Sequence, residues 1–184
     1  MPRKSIVELI AQAQASFPDN ITGAITPALL RGMIEDFLHA IAPAYGICQK
    51  TAPQTVSLGT TPVAIQYTTA TSSDINQLTA SAATGKISRL ERGTSTINFT
   101  MDVDAANGRI VSAELFKNGV VTTWRVSVTC GGAGKPVGLA LTAVDYADPA
   151  AEYEVRLSCD TAGTSTVLSN GALLLAVDAV NSYT

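Results

Sequence analysis

From about Gly46 to its C-terminus the chain sustains no long helical period. Short runs rich in Val, Thr, Ala and Ile alternate with clusters of Gly, Asn, Asp and Pro. A chain punctuated at this interval has two common solutions, a β-sandwich or a β-barrel. Strands are expected at Pro62–Tyr67, Lys86–Leu90, Thr96–Met101, Ile110–Lys117, Val120–Val128, Val137–Val144, Tyr153–Ser158 and Leu173–Val180. Asn118-Gly119 lies between two apolar runs and predicts a tight hairpin, because both residues tolerate the positive φ of a type I′ turn. Asn107-Gly108 is a second turn signal, Cys130–Gly134 a flexible connection and Ala147-Asp148-Pro149 a further turn. No internal repeat stands out.

The first 46 residues have a different texture. Ser5 and Glu8 form an S-x-x-E capping box, and Ile6, Leu9, Ile10 and Ala13 follow at helical spacing. Pro18 ends that pattern. Thr26 is then a good N-cap and Pro27 takes the favoured first helical position. Leu30, Met33, Ile34, Phe37, Leu38 and Ile41 recur on one stripe, until Pro43 and Gly46 stop it. Two short amphipathic helices cannot bury such stripes on each other alone. They need a further surface, either the β domain or another subunit. The expected organisation is a helical anchor over 1–46 and a β domain over 47–184, mainly β with two short N-terminal α-helices.

Chemistry is sparse. His39 is the single histidine, which leaves no multi-histidine metal site and no serine–histidine–carboxylate triad. Asp102 and Asp104 share one face of a strand, a spacing that could serve calcium or acid–base work, but they lead into a turn and read more simply as solvated. Glu152 and Glu154 alternate around Tyr153, the rhythm of a half-buried strand. Gly131–Gly134 with Lys135 lacks the Walker pattern, because Pro136 and a strand follow where a helix should open. Trp124 alternates with Val126 and Val128, so a core or subunit-interface place is favoured over ligand stacking. Cys48, Cys130 and Cys159 make an odd set with no C-x-x-C pair, and read as buried reduced thiols. No catalytic residue, metal ligand or cofactor is expected.

Only 15% of the residues are charged and the net charge is −3. So few charges imply that much surface is covered by partners, and the absence of basic excess argues against nucleic acid. No apolar run is long enough for a membrane-spanning helix. Met1-Pro2-Arg3-Lys4 superficially suits a signal peptide, but Glu8, Gln12 and Gln14 interrupt any apolar core, so synthesis in the cytoplasm is expected.

Several segments resemble a known family. The strand Ile97–Val103, the hairpin Ala113–Val120 with its Lys117-Asn118-Gly119-Val120, the loop Cys130–Gly134, the strand Val137–Ala143, the aspartate turn and strand Asp148–Leu157 and the closing strand Ala172–Val180 are similar to the jelly-roll domain of tailed-bacteriophage virion proteins. That domain resembles the tumour-necrosis-factor and C1q group in topology. Ala147-Asp148-Pro149 stands where the family usually has Gly-Asp, and Ile25–Asp36 resembles the start of phage fibre and decoration proteins. The resemblance implies an antiparallel jelly-roll sandwich, a homotrimer, attachment to other virion proteins of capsid or tail, and no catalytic residues. A non-enzymatic tail or fibre-type appendage is the leading expectation, with head fibre or capsid decoration protein as the alternative. Leu30, Met33, Ile34, Phe37, Leu38, Ile41 and Trp124 are the candidate contact residues. A carbohydrate- or receptor-binding module, contacting a host surface glycan through Trp124 or Tyr153, is the rival from another class. A cupin-like metalloenzyme is the third, set back by the single histidine.

Overall fold

The computed structural model describes residues 11–12, 15, 29–34, 43–75, 77–90, 92–147 and 149–177. Among the described residues there are twelve antiparallel strands: β1 (Ala44–Lys50), β2 (Gln54–Leu58), β3 (Val63–Ala64), β4 (Thr69–Ser72), β5 (Leu78–Ser81), β6 (Lys86–Arg89), β7 (Gly93–Asp104), β8 (Ile110–Lys117), β9 (Val120–Thr129), β10 (Val137–Ala147), β11 (Glu152–Cys159) and β12 (Thr164–Val177). A short helix occupies 29–34, inside the expected second helix. Most of the two expected helices, with His39, Phe37, Leu38 and Ile41, lies outside the described residues.

The strands form two sheets. Sheet A runs β10-β7-β12-β1-β4, with β2 also on β12, and sheet B runs β5-β6-β11-β8-β9, with β3 also on β11. The long pairings are nested: β1 with β12, β6 with β11, β7 with β10 and β8 with β9. First pairs with last and the innermost pair is a hairpin, which is the winding of a jelly roll. The innermost hairpin turns at Asn118 (φ 51°) and Gly119 (φ 76°), the two positive angles that type I′ geometry needs.

Strict alternation builds the core. β7 buries Ser95, Ile97, Phe99, Met101 and Val103, and β12 buries Leu168, Leu173, Leu175 and Val177. They meet Leu115, Tyr153, Val155 and Leu157 of sheet B. Among the described residues, the buried core residues fall between Ala44 and Val177. β1 starts at Ala44, ahead of the expected boundary at residue 47. Gly46 belongs to this strand rather than to a helix stop: a Cβ there would meet Ile87 Cγ2 at 2.8 Å.

One end of the sandwich gathers the start of β1, the end of β12 and the 118–119 turn. The opposite end gathers the loops Ala105–Arg109, Gly131–Pro136 and Asp160–Gly163.

Candidate assembly surface

The same alternation that fills the core decides what each sheet shows outward. On sheet A the outward positions are Tyr45, Ile47 and Gln49 of β1, Ala172, Leu174 and Ala176 of β12, Thr94, Thr96, Asn98 and Thr100 of β7, and Ala140, Thr142, Val144 and Tyr146 of β10. Register places them in rows: Tyr45 beside Ala176, Thr96 and Val144; Ile47 beside Leu174, Asn98 and Thr142. None of these side chains is charged. Tyr45 is 48% exposed, Val144 56% and Tyr146 53%. Charge appears only toward the far end, at Asp102 and Asp104.

β10 is also the edge of sheet A. A long edge strand offers unpaired backbone groups, and proteins normally blunt it with lysine, proline or a bulge. β10 has none of these along Val137–Ala147. Its one charged residue, Asp145, is committed elsewhere: it accepts the Tyr153 hydroxyl at 2.5 Å and pairs with Lys117 Nζ at 2.6 Å, joining the two sheets. Burial, then this hydrogen bond, raises the Tyr153 phenol above its ordinary range.

Sheet B is the opposite. Its outer face carries Lys86 against Glu152 (2.6 Å), Arg156 against Glu154 (2.5 Å) and Arg125 against Glu114 (3.4 Å). The Arg156 guanidinium lies 4.2 Å over the Phe116 ring. The hydrogen bond that Lys86 donates to the Glu152 carboxylate raises the Lys86 pKa.

The sequence-chosen residues divide as follows. On the helix at 29–34, Leu30 is 47% and Ile34 50% exposed, and Met33 is half-buried. Trp124 points inward from β9 and packs on the core while remaining partly accessible. Tyr153 is fully buried, so no glycan can stack on it, and the glycan contact expected there is corrected. Asp102 accepts the Asn170 side-chain amide at 3.1 Å, at the register shift of β12, and Asp104 accepts the Gly134 N–H at 2.6 Å, so one carboxylate fixes an irregular strand and the other a loop. Among the described residues no group of three His, Cys, Asp or Glu is arranged to hold a metal. All three cysteines are free and buried, and burial pushes the Cys48 thiol up to about 11. Tyr45, Val144 and Tyr146 were not singled out from sequence. The available signal was the run Val137–Tyr146, whose outward positions are all uncharged.

No protein-family model matches the chain, and no curated protein sequence matches it. Solved structures do match in shape, and they define the class: a TNF-like jelly-roll fold. The structure of Eiger TNF from S. frugiperda is similar at a TM-score of 0.51 and 14% identity, over 77% of this chain and 96% of that one. Murine APRIL, crystallised at pH 5.0, is similar at 0.51 and 10%, over 74% and 99%. At such identities the likeness establishes the fold.

Proposed function

We propose that this chain is a non-enzymatic virion structural protein of a tailed phage. It works as a homotrimeric tail or fibre-type appendage, with two N-terminal helices over 5–15 and 27–42 as its anchor. The observation that carries self-association is the uncharged outer face of sheet A, continuous with the unprotected edge of β10. Such a face gains by being covered and has no charge to desolvate when it is. Closed cyclic symmetry would cover it in every copy without open-ended growth. The TNF-like fold supports this reading, and the phage assignment rests on the resemblance of segments 85–180 and 25–36. Contacts through Leu30, Met33, Ile34, Phe37, Leu38 and Ile41 then hold the anchor to other virion proteins. A capsid decoration protein or head fibre would use the same parts.

A second reading has its own observation. Tyr45 and Tyr146 are exposed aromatics among Thr and Asn side chains, a composition that also suits a glycan. A host-surface glycan bound there would make the module a receptor binder.

The test is native mass, for the full chain and for a version lacking residues 1–42, which spares β1. The monomer is 19.0 kDa. Trimers in both cases place the assembly in the β domain. A trimer of the full chain alone makes the helices the oligomerisation device. Monomers in both cases overturn the trimer, and glycan binding lost on Tyr45→Ala or Tyr146→Ala would then favour the receptor-binding reading.

A further inference from the structure

We infer that one end of sheet B, the end of the 118–119 turn, is the seat of the chain's first N-terminal helix, residues 5–15, whose apolar stripe covers it. Ile75 in the turn before β5, Leu90 just after β6, and Val120 and Val121 at the start of β9 all stand at this end, between 40% and 73% exposed. In the strand order β5-β6-β11-β8-β9 they reach from one edge of the sheet to the other. Aliphatic side chains exposed at three separate turns of one end mark a surface that something covers. Charge near them is already committed: Asp74 accepts the Gln77 side-chain amide at 2.7 Å, and Lys117 pairs with Asp145 at 2.6 Å. The loops at the opposite end carry Asn107, Arg109, Lys135 and Asp160 instead. None of the four aliphatics lies on the outer face of sheet A, so the seat is independent of the assembly face.

The place where the chain enters the β domain names the occupant. β1 begins at Ala44, at this same end, so the N-terminal segment leads directly to the seat. The second helix is not what covers it: Leu30 and Ile34 of its stripe are 47% and 50% exposed. That stripe is the virion contact of the proposed function, and the inference rests on that reading. The first helix has a stripe of its own, Ile6, Leu9, Ile10 and Ala13, which needs a surface. The lengths agree. A helix over 5–15 is about 16 Å long, and five strands span about 19 Å between their outermost axes. A helix over 27–42 is about 24 Å long and the connection over 16–26 extends to about 36 Å, so the first helix reaches back to the seat even when the second stands away from it. The two helices then divide the work of the anchor. The second grips the virion protein, and the first braces the β domain and fixes the angle at which it projects.

The experiment places a nitroxide on the full chain and reads amide NMR intensities. Ile75→Cys takes the label at an exposed site, since the three native thiols are buried. Signals of residues 6–13 should lose more than half their intensity and recover it when the nitroxide is reduced. A label on Lys135→Cys, at the opposite end, should leave them unchanged. Ile10→Glu, within the stripe, should restore them beside the Ile75→Cys label with native mass unchanged. Full intensity at 6–13 beside that label overturns the inference. Loss confined to 29–41 also overturns it, because the second helix would then hold the seat. So does loss in an unlabelled chain mixed with nitroxide-labelled copies, because a neighbour's helix would then hold it. Failure of the trimer reading shows in native mass instead, which the nitroxide does not measure.

Discussion

The outer face of sheet B sets Lys86, Arg125 and Arg156 against Glu152, Glu114 and Glu154. The outer face of sheet A sets Tyr45, Ile47, Leu174 and Val144 among threonines, alanines and Asn98. Both faces come from the same alternation over the same core. The low charge content is thus not a uniform dilution: paired charges spread over the outer face of sheet B, and on sheet A charge is confined to Asp102 and Asp104 at one end. A face meant for water needs charge to stay solvated, and a face meant for a copy of itself is better without it.

The sharpest way to break this comparison is to put charge where there is none. Leu174→Arg and Thr96→Arg each place a guanidinium near the middle of the sheet A face. If that face is covered in the assembly, the charge is buried without a partner and costs several kcal/mol, so the subunits should separate by about 100-fold or more in Kd. Ser127→Arg, outward on sheet B, should leave native mass unchanged. Equal effects at both faces would abolish the distinction.

Arg156→Met attacks the other face. It strands the Glu154 carboxylate, whose side chain is 5% exposed, and removes the cation from the Phe116 ring. Stability should fall by about 3 kcal/mol in urea unfolding, with native mass unchanged. Tyr153→Phe tests the link between the sheets. It removes the hydroxyl bonded to Asp145 and should cost about 1–2 kcal/mol.

How far these faces could be read from sequence depended on local regularity. Ile110–Lys117 and the Asn118-Gly119 turn were legible because their signals are local. β1 was not, because Gly46 after Pro43 imitates a helix stop, and the close approach of Ile87 that requires glycine is a tertiary fact. β12 begins at Thr164 rather than Leu173, since its first half is polar and its pairing shifts register between Ser169 and Ala172, where Asn170 has φ 47°. Pro62–Tyr67 shrinks to Val63–Ala64, and β2, β4 and β5 are too short to show a period. The candidate face was hidden for a related reason. Alternation tells which residues share a side, but only sheet order brings Tyr45, Ala176, Thr96 and Val144 into one row.

The inward rows hold acids that stay protonated in the fold, and they set an alkaline limit. The Cys48 thiol rises from 9.0 to about 11, chiefly by burial. Below pH 9 the folded and unfolded chains are both protonated there and the full stability is present. Between 9 and about 11 only the unfolded chain ionises, so stability falls by up to about 1.4 kcal/mol per pH unit from this group. Buried Tyr67 and Tyr153, both raised, act in the same direction above their ordinary range. Urea midpoints measured on either side of pH 9 should drop for the unmodified chain and drop less for Cys48→Ala.

The smallest effect should come from the best-exposed pair on sheet B. Lys86 and Glu152 meet at 2.6 Å, but their side chains are 34% and 43% exposed. Water screens both partners, and such pairs contribute about 0–1 kcal/mol. Lys86→Met should therefore shift the urea midpoint barely at all, and added salt should erase what shift there is. Native mass should hold, because a solvated face loses little when one charge goes. A change in native mass on Lys86→Met would mean that sheet B also meets a partner. The contrast between the two faces would then describe two interfaces of different chemistry rather than one covered face and one wet one.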